Sequence, residues 1–76
     1  MKPTQSEKLN NLKAAASKLE EQIKGLKGQL AGLANDPVFN AARMGNIHEQ
    51  IAELKAQLTQ AQIAVKQVEI ELLEVG

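Results

Sequence analysis

The apolar ladder Leu9, Leu12, Ala16, Leu19, Ile23, Leu26, Leu30 and Leu33 advances in steps of 3, 4, 3, 4, 3, 4 and 3 residues, the signature of a heptad seam. A second ladder follows Met44: Ile47, Ile51, Leu54, Leu58, Ala61, Val65, Val68 and Leu72 repeat the alternation towards the C-terminus. Each ladder lies along one side of an α-helix and needs a covering partner. The two can cover each other. In an antiparallel hairpin the numbers of facing residues add to a near constant, because one helix counts up while the other counts down. Pairing Leu33 with Ile47, Leu30 with Ile51, and so on to Leu9 with Leu72 gives sums of 80 or 81 throughout.

The flanking positions support the same register. Lys8 meets Glu71, Ala15 meets Ala64, Gln22 meets Gln57, Gln29 meets Gln50 and Lys13 meets Glu69, with Lys27 against Lys55 the one unfavourable pair. A register one heptad shorter pairs Glu20 with Lys55 but sets Ala15 against Gln57 and leaves the C-terminal turns uncovered, so it ranks second. The expected fold is all-α: an antiparallel two-helix coiled-coil hairpin forming one domain over residues 1–76.

Punctuation along the chain divides this domain. Thr4 and Glu7 stand at capping-box spacing, Ser6 is a second candidate cap, and helix one is expected over about residues 5–34. Asp36-Pro37 both ends that helix and offers an N-cap with proline at the first helical position. Gly45-Asn46 reads as a stop followed by a new cap, with Glu49 completing a box. A connector over 35–46, containing a short helix from Pro37 to Met44, and a main helix over about 47–75 are therefore expected.

Composition limits the function. A 76-residue chain has a thin core, which oligomerisation commonly supplements. Nine basic residues balance nine acidic ones, removing the broad attraction on which nonspecific nucleic-acid binding depends. Without cysteine there is neither a disulfide framework nor a thiolate metal site. No apolar run reaches membrane-spanning length and the lead Met1-Lys2-Pro3 does not resemble a signal peptide, so a soluble, cytoplasmic protein is expected, with no nucleic-acid or membrane partner.

Candidate chemistry is sparse. His48, Glu49 and Glu53 lack the second histidine of a helical zinc motif and read as a solvated face. Glu69, Glu71 and Glu74 read as surface partners of lysines, and Ser6, Ser17, Thr4 and Thr59 have no base beside them. No catalytic residue, metal or cofactor is expected.

Binding surfaces are better marked. With Leu9 at heptad position a, Ala56, Ile63 and Ile70 fall at f and Leu73 at b, on the outer side of helix two. They point to a homo-oligomer interface, a four-helix bundle or a higher assembly. Gly25, Gly28 and Gly32 form a smooth outer stripe on helix one, read as a weakened helix face or as a place where another backbone approaches closely. Val38 and Phe39, on the connector, either plug the end of the bundle or anchor a target protein. Lys24, Lys27 and Arg43, near the expected helix starts at Asp36 and Asn46, form a candidate anion site.

In hairpin layout, and in Asn35-Asp36-Pro37 at the turn, the chain resembles the subunits of bacterial type III secretion needles. Such subunits polymerise, whereas regular heptads favour a closed bundle, and no family residue is carried over. The layout also suits small bacterial or phage regulators, co-chaperones and inhibitors. The functional expectation is a non-enzymatic, homo-oligomeric interaction module that binds one target protein stoichiometrically as an inhibitor, adaptor or co-chaperone. The alternatives are a protein sequestering small anions or nucleotides near the connector, and a structural subunit of a polymer.

Overall fold

The computed structural model describes residues 4–75, the side chain of Val75 excepted; Met1-Lys2-Pro3 and Gly76 lie outside that range. Two helices, α1 (Gln5–Leu33) and α2 (Ala41–Val75), pack along each other as a hairpin. The result is a rod of 56 × 17 × 17 Å. Its length is set by α2, whose 35 residues rise about 52 Å at 1.5 Å each.

The heptad seam is the buried line of the molecule. Ile23, Ile47 and Ile51 form a buried cluster against which Leu26, Leu30, Leu33, Leu54 and Leu58 pack. Val68, expected opposite Leu12, is the most enclosed core side chain at 2% exposure. Every other member of both ladders is at least half covered, whereas their polar neighbours are exposed. The register is the first-ranked one. Lys13 and Glu69 line one groove with Ala16 and Val65, Gln29 and Gln50 another with Leu33 and Ile47, and Lys27 and Lys55 a third with Ile23 and Leu58. One flanking detail differs: the Glu71 carboxylate accepts a hydrogen bond of 3.1 Å from Gln5 Nε2. Lys8 was the expected partner. Gln5 lies one turn earlier on the same side of α1, and its amide reaches the carboxylate.

The caps follow the sequence at three points. Thr4 Oγ1 accepts from Glu7 N at 3.2 Å, satisfying one of the free amides at the start of α1. At the other end Ala34 N donates to Leu30 O. Asp36 Oδ1 accepts from Phe39 N, and Asp36 O accepts from Asn40 N at 3.0 Å, so a single helical turn begins at Asp36.

That turn does not become a separate helix. The expected break at Gly45-Asn46 is absent: α2 runs unbroken from Ala41, and the connector shrinks from 35–46 to 34–40. Asn46 is an exposed interior residue of α2 and does not cap it. The reason is tertiary. A helix already running at residue 41 places Met44, Ile47 and Ile51 on one side at spacings of 3 and 4; Met44 is partly buried, and Ile47 and Ile51 are buried with Leu30 and Leu33 of α1 packed against them. Burying a residue such as Ile47 contributes about 1.5–3 kcal/mol, more than the roughly 1 kcal/mol that an internal glycine costs. Asn40 reinforces the junction by donating from Nδ2 to Leu33 O at 3.0 Å, which satisfies a terminal carbonyl of α1 from the start of α2.

Candidate functional site

Three surfaces carry the residues singled out by the sequence. The first is the outer side of α2. Ile63 is 47%, Ile70 55% and Leu73 81% exposed, and Ala56 is exposed on the same side. They stand away from the seam because the seam repeats at a and d while these residues occupy f and b. The hairpin leaves Leu73 most open, whereas Ile63 borders the groove that it shares with Lys13, Ser17 and Glu20 of α1. The rod as a whole exposes 5880 Å², whereas a compact chain of 8.2 kDa exposes about 4,500 Å².

The second surface joins the outer face of α1 to the connector. A Cβ placed on Gly25, Gly28 or Gly32 meets nothing within 4 Å, so the hairpin itself brings no backbone close to this stripe. All three glycines have ordinary helical φ, and an alanine fits at each. Their absence of side chains is a surface property, not a requirement of the hairpin's own packing. Val38 and Phe39, at 88% and 84% exposure, stand clear of the rod's end. Within the hairpin, then, Phe39 is an exposed aromatic beside an exposed valine and does not close the rod's end. Both are held by the Asp36-capped turn, with Phe39 N on Asp36 Oδ1.

The third surface is basic, and its membership differs from expectation. Lys24 and Lys27 line a groove with Lys55, Glu20 and Leu58. Arg43 lines a different groove, with Gln29, Gly32, Asn46 and Gln50. The helix start expected at Asn46, which was to supply anion-binding amides, lies inside α2. Lys55 was visible in the sequence only as the like-charged neighbour of Lys27. The same arithmetic that marked this pair as unfavourable also marks a three-lysine groove.

His48, Glu49 and Glu53 are exposed along α2, and among the described residues no three of His, Cys, Asp and Glu converge to hold a metal ion. Among the described residues no helix is long and apolar enough to cross a membrane. Compared with protein-family models, curated proteins and solved structures, the chain matches none.

Proposed function

We propose that the chain is a non-enzymatic interaction module: a hairpin that self-associates through the outer side of α2 and binds one target protein stoichiometrically, as an inhibitor, adaptor or co-chaperone. The observation that carries this reading is the exposed apolar series Ile63, Ile70 and Leu73 on a helix whose opposite side is already buried. A helix apolar on two sides is covered on two sides in its working state. The excess surface, about 1,400 Å² per chain, exceeds the roughly 800 Å² that each partner contributes to a standard interface. With α2 occupied by self-association, the glycine stripe and the Val38-Phe39 tip remain for the target.

Sedimentation equilibrium tests the first half of this reading. The wild type should have at least twice the chain mass, and Ile63→Asp with Ile70→Asp should give a helical monomer. A monomeric wild type rejects self-association, and continued growth into filaments would favour a structural polymer.

A second reading rests on the groove lined by Lys24, Lys27 and Lys55, where three lysines outnumber the one carboxylate, Glu20, and leave a net positive charge for a polyanion. It makes the protein a sequestering agent for small anions such as nucleotides. Thermal stabilisation by pyrophosphate or a nucleotide that disappears in Lys27→Gln supports it. Unchanged melting with every anion removes it.

A further inference from the structure

The outer side of α2 carries more than four apolar residues. Between Ala52 and Leu73 the b and f positions form a second heptad ladder, stepping by 4 and 3 residues in turn. Ala52, Ala56 and Thr59 lead to Ile63, and Ile70 and Leu73 end the run. Lys66 is its single charged member, and a lysine there can lay its stem along an apolar seam while its ammonium reaches water. Thr59 is already prepared for burial. Its Oγ1 donates to Lys55 O at 3.0 Å within α2, so its hydroxyl needs no outside partner.

We infer that this second ladder pairs with itself in a second copy of the chain, antiparallel, about a two-fold axis at Ile63. The inference rests on the self-association proposed above and adds its orientation and register. Two properties of the ladder select them. The first is size: small residues occupy one end and large ones the other. Antiparallel pairing about Ile63 sets Ala52 against Leu73 of the second copy and Ala56 against Ile70, whereas parallel pairing sets alanine on alanine and leaves gaps. The second is charge. The arithmetic that describes the hairpin's own register, transferred to this axis, brings Lys55 of each copy to Glu69 of the other, Gln62 to Gln62 and Gln60 to Gln67. The opposing term is a like-charged contact made twice, Glu53 of each copy with Glu74 of the other, at the solvated rim where screening weakens it.

The pairing also gives Lys55 a second carboxylate, whereas in its own chain the groove offers Glu20 alone against Lys24 and Lys27. At 100° per residue the b/f ladder lies about 150° around α2 from the a/d seam. The two α2 helices therefore lie inside and the two α1 helices outside, in a flat four-helix array with the glycine stripes free.

Disulfide trapping tests this directly, because the chain has no cysteine of its own. Oxidised Ile63→Cys should form a covalent dimer with itself. Leu73→Cys alone should not, since its two copies stand about 30 Å apart along the axis, but mixed with Ala52→Cys it should. Lys55→Glu should weaken the dimer about tenfold, and adding Glu69→Lys should restore it. A dimeric mass without the Ile63→Cys crosslink, or with self-crosslinking of Leu73→Cys, overturns the antiparallel register and leaves self-association standing. A monomeric wild type overturns both.

Discussion

Gln5 and Glu71, separated by 66 positions in the chain, meet at 3.1 Å across the open end of the hairpin. At the closed end Asn40 reaches Leu33 O, so both ends of the rod carry a polar contact between distant or successive elements. Between them the register is held by one apolar line, and its weakest points can be stated in advance.

Ile51 is buried at the densest part of that line, in the cluster with Ile23 and Ile47. Ile51→Ala should cost about 2–5 kcal/mol. Chemical denaturation should find Glu49→Gln, two residues away, exposed and outside the second ladder, nearly neutral. Equal effects from the two would mean that the seam faces elsewhere.

Asp36 caps the turn that launches α2, with its side chain on Phe39 N. Replacing it by alanine should lower stability by about 1 kcal/mol, or roughly 4–8 °C in melting temperature for a chain of this size. Asn46→Ala, at the residue expected from sequence to cap the second helix, should not destabilise the fold. Circular dichroism melts of the two variants compare the observed and expected starts directly.

The glycines on α1 offer the opposite sign. Gly25, Gly28 and Gly32 have open space where a Cβ would stand, so alanine at each should stabilise the helix by about 0.5–1 kcal/mol. Stability and binding should separate here. Gly28→Leu should keep the oligomer mass and lose the target protein; unchanged capture would remove the glycine face from the binding surface.

Val38 and Phe39 are exposed and contribute little to the hairpin. Val38→Ser with Phe39→Ser should shift stability by less than about 0.5 kcal/mol per substitution. Loss of target binding in this pair, measured by titration against the purified target, would place the tip in the interface, whereas a large drop in melting temperature would show that Phe39 packs somewhere in the working assembly.

By itself, the sequence determined the hairpin, its register and its caps at Thr4 and Asp36, because heptad spacing, summed position numbers and capping residues are local or pairwise properties that can be read along a chain. It also marked the outer residues Ile63, Ile70 and Leu73, whose exposure follows from their angle to the seam. Tertiary structure alone decided where α2 begins. Gly45-Asn46 carries a strong local signal to stop, but packing of Ile47 and Ile51 with Leu30 and Leu33 of α1 outweighs it, and no local rule weighs a glycine's cost against a neighbour's burial. The same holds for the charged surfaces: Lys24 and Lys27 are joined by Lys55 and separated from Arg43 because the two flanks of a helix pair are distinct grooves once the helices have closed on each other.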